Sequence, residues 1–273
     1  PLMNTFRDNQ DYEADMFVNN HEAKEIMDDN TLLVVVDTNK PSITQCEDLL
    51  YMAKMIVVLD HHRQGSDTIR NSVLSYIEPY ASSASEMVAE ILQYFTEGIR
   101  IRNVEADSIY AGIMIDTDNF MQKTGVRTFE AAAFLRRCGA DVTRVRKLFR
   151  EDMNDYKARG ETIRNAELFR GQFAISECPS DYVDSPTVVG AQAANELLNI
   201  VGVKASFVLT EYKGVIYISA RAIDEVNVQI IMERLGGGGH MNASGAQFNH
   251  TDMDEAVACL KQVIDEMIEG GDL

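Results

Sequence analysis

The sequence predicts an α/β protein: a parallel-sheet domain joined by a helical linker to a smaller α/β domain with a mixed sheet. Two β-branched runs, TLLVVVD at 31–37 and MIVVLD at 55–60, each end in aspartate and flank a helical stretch at 46–53. Short continuous apolar runs read as buried parallel strands, and strand–helix–strand is the βαβ unit. In the second half, strands at 205–212 and 215–220 are separated only by Lys213-Gly214, the mark of an antiparallel hairpin. A length of 273 residues accommodates two modest domains, here expected at 1–140 and 168–273 with the linker at 141–167.

Taken in order, the first thirty residues are rich in Asp and Asn and read as loop plus a short helix at 21–28. The βαβ unit follows. Residues 85–95 place Met87, Val88, Ile91, Leu92 and Phe95 near helical spacing, an amphipathic helix. The apolar segment SIYAGIMID at 108–116 is compatible with helix or strand and again ends in an acid, Asp116. Good helix formers at 128–137 are closed by Gly139, and the charged, alternating composition of 141–167 reads as exposed helix joining the domains. The second half reads as a strand at 172–176, a helix at 188–201 and the hairpin. A helix at 227–234, a glycine-rich loop, a strand at 243–248 and an amphipathic helix at 252–268 complete it.

Charge and composition exclude several function classes. A formal charge of −18 argues against a surface that tracks long nucleic acid, which needs clustered Lys and Arg. A small anionic substrate is compatible with it, because metal ions and a few donors can hold phosphates inside an acidic protein. The longest apolar stretches, 32–36 and 56–59, fall far short of a spanning helix, and the N-terminus does not read as a signal peptide. Pro1 stands where a starting Met would be, so the chain reads as part of a longer one whose anchor could lie upstream. Cys46, Cys138, Cys178 and Cys259 are scattered and read as reduced, buried thiols of a cytosolic protein.

Asp60-His61-His62 closes the second strand. One imidazole there can ligate a metal, the adjacent acid can orient a ring, and the other imidazole can meet an anionic substrate. Asp37 and Asp116 supply hard oxygen ligands, and mixed carboxylate and imidazole suits Mn²⁺ or a similar divalent ion. Taken singly, each acid also reads as a turn or helix-cap residue, and paired His residues as a solvated turn. Gly236-Gly237-Gly238-Gly239-His240 would let backbone N–H groups approach a phosphate closely; a flexible hairpin is the alternative. No Lys-Ser/Thr follows, so a Walker A loop is excluded.

These motifs together resemble the DHH phosphoesterase superfamily with its DHH-associated domain. TLLVVVDTNKPSITQCEDLL, VVLDHHRQGSDTI, YIEPYASSASEMVAEILQYF and RAIDEVNVQIIMERLGGGGHMNASGAQ are similar to the C-terminal catalytic module of GdpP-type cyclic-di-AMP phosphodiesterases, from about residue 22 onward. The resemblance implies metal-dependent hydrolysis of cyclic di-AMP to linear pApA with two Mn²⁺ per intact site. On matching positions it implies Asp37 bridging the ions, His61 and Asp116 completing one ligand set, and a catalytic pair in Asp60 and His62, with His62 facing substrate phosphate. Gly236, Gly237, Gly238, Gly239 and His240 would hold the far part of the nucleotide across an interdomain cleft, with Arg221 as a further phosphate candidate that also reads as an ordinary surface or packing residue. Ser83 and Ser85 belong to the likeness, and their simplest role is capping the helix that follows.

One departure carries an expectation of its own. Family members begin with a strand ending in His-x-x-x-Asp-x-Asp, and no such motif occurs here, so this chain is expected to be impaired while its parent is an enzyme. The alternatives are a nanoRNase or pAp phosphatase acting on short linear oligonucleotides, and a non-catalytic nucleotide-binding module. The implied partners are a cyclic dinucleotide or short linear dinucleotide; a homodimer is allowed. The implied location is the cytoplasmic face of a bacterial membrane to which the parent is anchored.

Overall fold

A computed structural model describes residues 2–13, 15–95, 98–223 and 226–271; Pro1 and, within the RAIDEVNV stretch, Asp224 and Glu225 lie outside them. The chain divides into two compact units at Arg150/Glu151.

Unit 1 opens with two short helices, α1 (Leu2–Arg7) and α2 (Asn20–Ile26). Asn19 starts the second by accepting from the His21 and Glu22 amides. Three strands follow, β1 (Leu32–Val36), β2 (Met55–Asp60) and β3 (Leu74–Ile77), with α3 (Asp48–Met52) between the first two. They form a parallel sheet in the order β1-β2-β3. Register pairs Val36 with Leu59, and the Asp37 amide donates to the Leu59 carbonyl at 3.0 Å. Parallel pairing thus delivers Asp37 and Asp60 to the same sheet edge. Ile56 and Val58 of β2 bury together with Leu50 and Ile69.

The first strand departs from expectation. A run of five apolar residues suggested burial on both faces, yet Leu32, Val34 and Val36 are 51%, 46% and 49% exposed. β1 is an edge strand, and one of its faces is left uncovered by the described residues.

Four helices complete unit 1: α4 (Ala84–Tyr94), α5 (Asn103–Asp116), α6 (Val126–Arg137) and α7 (Val142–Leu148). Their core of Ala89, Ala106, Ile113, Ala131, Leu135 and Val145 excludes water, and the alanines let the helices approach closely. Ser83, rather than Ser85, caps α4 by accepting from the Glu86 amide at 2.9 Å. The ambiguous 108–116 segment is helix, the C-terminal part of α5.

Unit 2 comprises α8 (Met153–Arg164), β4 (Glu167–Phe169), β5 (Phe173–Cys178), α9 (Pro186–Leu197), β6 (Ala205–Tyr212) and β7 (Val215–Ala222). After these come α10 (Val228–Arg234), β8 (Gly238–His240), β9 (Ala243–Asn249) and α11 (Met253–Gly270). The six strands form one mixed sheet in the order β4-β5-β6-β7-β9-β8; β5 and β6 are parallel, the other pairs antiparallel. One face buries Phe173, Phe207 and Ile218 with Ile231 and Leu260 of α10 and α11. The other buries Ala174 and Val208 with Ala158 of α8 and Ala194 and Leu197 of α9. Each large side chain so buried contributes about 1.5–3 kcal/mol.

The 141–167 segment is not one exposed connector. It forms two helices on either side of the unit boundary: α7 buries Val145 in unit 1, and α8 buries Ala158 in unit 2. Alternating charge marked the solvent sides and hid the small apolar residues on the inner ones.

The glycine run, expected as an open loop, is largely built into structure. Gly236 (φ +78) ends α10, its amide donating to the Glu233 carbonyl while the Gly237 amide donates to Met232, a Schellman ending. A Cβ on Gly237 would sit 2.1 Å from the Gly245 carbonyl oxygen, and one on Gly239 (φ +146) 2.6 Å from the Ser244 Cα. Gly238 has nothing within 4 Å. Gly237→Ala and Gly239→Ala should therefore each cost about 1–3 kcal/mol, while Gly238→Ala stays within about 0.5 kcal/mol. Denaturant melts measure this; equal losses at all three positions would contradict it.

Candidate active site

Asp37 sits immediately after β1 in the left-handed region, φ +65. A non-glycine residue there costs roughly 1–2 kcal/mol, and such strain collects at functional positions. His61 follows β2 with its Nε2 3.3 Å from Asp37 Oδ1 and 3.8 Å from Asp116 Oδ2. Asp116 arrives as the last residue of α5, where the helix dipole disfavours an acid. Burial pushes its carboxyl above the usual carboxylate value of 3.8, and the Asp37 charge adds to that, against the pull of His61. Three elements distant in sequence thus bring two carboxylates against one imidazole. Asp37 and Asp116 also line a cavity of about 400 Å³ with Ser85, Ser108 and Gly112.

Asp60 is fully buried and holds the neighbouring parts in place. Its Oδ1 accepts from the His62 backbone amide at 3.2 Å and meets His62 Nδ1 at 2.7 Å, while Oδ2 accepts from Asn39 Nδ2 at 2.5 Å. A carboxylate partner puts the proton of a neutral His62 on Nδ1 and leaves Nε2 as the acceptor. Ligand atoms of Asp37, His61 and His62 all lie within 4.8 Å of one another, so these three can hold a metal ion between them. The Asp37, His61 and His62 donors, one carboxylate and two imidazoles, fit a divalent cation, and Asp116, 3.8 Å from His61, adds a carboxyl whose ionised form burial disfavours.

Asn39 is a site residue that sequence reasoning missed. It is 2% exposed, its side chain braces Asp60, and its Oδ1 is buried without a hydrogen-bond partner among the described residues. An Asn two positions past a strand-ending Asp looks like ordinary turn chemistry.

In unit 2 the register puts three of the remaining sequence candidates, Arg221, Gly238 and His240, on one sheet face, while Gly239 falls on the other and Gly236 and Gly237 precede the strand. Arg221 lies opposite Ala243, which lies opposite His240; one step along, Ser219, Gly245 and Gly238 form the adjacent row. Small residues between Arg221 and His240 leave a shallow floor with exposed His240 at one side. Arg221 is half-buried, its Nη1 donating to the Ala220 carbonyl at 2.9 Å, and burial lowers its pKa. Gly236, Gly237 and Gly239 have conformational or packing reasons to be glycine, whereas nothing in the packing explains Gly238.

The raised carboxyl of Asp116 yields a stability prediction. A carboxyl raised in the folded state destabilises the fold once ionised, at pH above the folded value. Asp116→Asn should therefore raise the Tm of the metal-free protein at neutral pH while weakening divalent-ion binding. The gain should fade as pH falls towards the ordinary value of 3.8. Scanning calorimetry across pH checks this; a lower neutral-pH Tm would contradict it.

Comparison with known proteins bears on the family and the fold. Residues 2–113 match the DHH family, N-terminal domain, and residues 172–266 match the DHHA1 domain. The chain is 44% identical over 259 residues to the cyclic-di-AMP phosphodiesterase GdpP of Bacillus subtilis, covering 93% of this chain and 39% of that protein. It is 40% identical over 249 residues to the cyclic-di-AMP phosphodiesterase PdeA of Listeria monocytogenes, covering 91% and 38%. It therefore spans about two fifths of the length of these relatives. The crystal structure of an exopolyphosphatase-related protein from Bacteroides fragilis shares the fold, with a TM-score of 0.80 at 23% identity over 90% of this chain and 74% of that one. With both domain matches and the Asp37–His61–Asp116 convergence in place, the chain belongs to the DHH/DHHA1 phosphoesterase family.

Proposed function

We propose that this chain is the hydrolytic module of a phosphodiesterase that opens one phosphodiester of cyclic di-AMP to give linear pApA. The meeting of Asp37, His61 and Asp116 from three separate elements carries the proposal, in a chain 40–44% identical to GdpP and PdeA. Asp37, His61 and Asp116 would hold one divalent ion, with Asp37 shared with a second; the mixed oxygen and nitrogen donors favour Mn²⁺. When bound, such ions neutralise developing charge on phosphorus and lower the pKa of water.

The chain's own residues supply orientation. Asp60, unreachable by solvent, fixes the His62 ring through Nδ1, and the free Nε2 is then aimed at a phosphoryl oxygen. Asn39 keeps the Asp60 carboxylate from rotating by holding its second oxygen. In unit 2 the Arg221–His240 face would receive the dinucleotide, Arg221 by a charged fork and Gly238 by close backbone approach. No described helix is long and apolar enough to cross a membrane. Anchoring at the cytoplasmic face would come from other parts of a full-length protein.

The test is turnover of cyclic di-AMP with Mn²⁺ by the full-length protein. Asp37→Ala and His61→Ala should reduce it to background, and Asp60→Asn by roughly 10–100-fold. Wild-type rates in Asp37→Ala, or faster wild-type turnover of linear pApA than of the cyclic substrate, would overturn the reading.

A further inference from the structure

The two strands that deliver aspartates to the site also carry cations at one shared offset. Lys40 stands three residues past Asp37, and Arg63 three residues past Asp60. The register that sets Val36 opposite Leu59 makes Asp37 and Asp60 equivalent positions on neighbouring strands, so the two cations follow the sheet edge alike. Hydrogen bonds then tie their loops together. Asn39 Nδ2 donates to the His62 carbonyl at 3.4 Å, which joins the residues immediately before Lys40 and Arg63. The Ile69 amide donates to the Asn39 carbonyl at 2.9 Å, and Ser42 Oγ to Asp67 Oδ2 at 2.7 Å. The loop between β2 and β3 is thereby fastened to the one after β1, and Lys40 and Arg63 stand on adjoining, braced backbone.

Neither charge is spent within the chain. Among the described residues, no side chain pairs with Lys40 or Arg63. Acids are not scarce, since the sequence holds 43 against 25 basic residues, and Lys24 and Lys54 nearby in sequence are paired with Asp48 and Asp29. The acids closest to the two cations are already committed: Asp60 to Asn39 and His62, Asp67 to Ser42. Lys40 is half-buried and Arg63 exposed, one residue beyond the His62 ring. Two unpaired cations on a fixed backbone beside a metal-binding cluster offer donors to an anion, Arg63 as a planar fork and Lys40 as a point charge.

We propose that Lys40 and Arg63 form a clamp for the phosphate group of a dinucleotide that the metal cluster does not cut. A cyclic dinucleotide carries both phosphates in one ring, so when one meets the metal cluster the other lies close by, still charged and in need of donors. In a chain of net charge −18 that second anion would otherwise meet a repelling surface. The clamp rests on the functional reading above and adds donors from unit 1 to the Arg221 fork of unit 2.

The test is steady-state kinetics of the full-length protein with Mn²⁺ on cyclic di-AMP and on bis(p-nitrophenyl) phosphate, which has a single phosphodiester. Arg63→Ala should raise KM for cyclic di-AMP about tenfold, hold kcat within about twofold, and leave turnover of bis(p-nitrophenyl) phosphate unchanged. Arg63→Lys, which keeps the charge without the fork, should fall between wild type and Arg63→Ala. Arg63 is exposed and unpaired among the described residues, so its substitution should leave the thermal melt in place. An unchanged KM for cyclic di-AMP, or equal losses on both substrates, would overturn the clamp. A wild-type protein that cuts only linear pApA would defeat the functional reading instead, and the same KM ratio on pApA, which also carries two phosphates, then decides the clamp. A wild type inert on both dinucleotides would remove both.

Discussion

Two carboxylates held against one imidazole are the constraint from which the rest of unit 1 follows. Asp37 reaches that point through a left-handed backbone, and Asp116 through a desolvated position at a helix end that repels it. Neither arrangement favours the metal-free fold. The parallel pairing of β1 with β2 and the packing of α5 against α4 and α6 over-determine them. On the proposed reading a divalent cation would convert this crowding into attraction, and strained, desolvated geometry of this kind collects at functional positions.

Around that point the residues divide their work by burial. Asp60 and Asn39 lie out of reach of solvent and fix orientation; His62 is exposed and presents the ring nitrogen they aim. The same division holds in unit 2. Gly237 and Gly239 admit β8 to the edge of β9, and that pairing sets His240 on the face that carries Arg221. Gly237 and Gly239 thus serve the Arg221–His240 face indirectly, by letting an edge strand form where side chains would collide.

Much of this was legible in the residues themselves. β1, β2, β6 and β7 are β-branched runs with clear punctuation, and the strand-ending acids mark the sheet edge where ligands bind. What stayed hidden has physical causes. β3 has only four residues and β4 and β8 three each, too short for periodicity, and β8 is almost entirely glycine. The SIYAGIMID segment is apolar on most sides because α5 packs between neighbours, so its period is blurred. Asn39 matters only because the fold brings it to Asp60, twenty-one residues away in sequence. The exposure of β1 follows from its place at the sheet edge, which composition does not encode.

The most direct measurement is anomalous scattering from crystals of this chain soaked in Mn²⁺. A peak within bonding distance of both the Asp37 carboxylate and His61 Nε2 is the expected result, at roughly 2.0–2.3 Å from each ligand atom. Peaks confined to surface carboxylates, with Asp37, His61 and Asp116 left bare at saturating Mn²⁺, would contradict it.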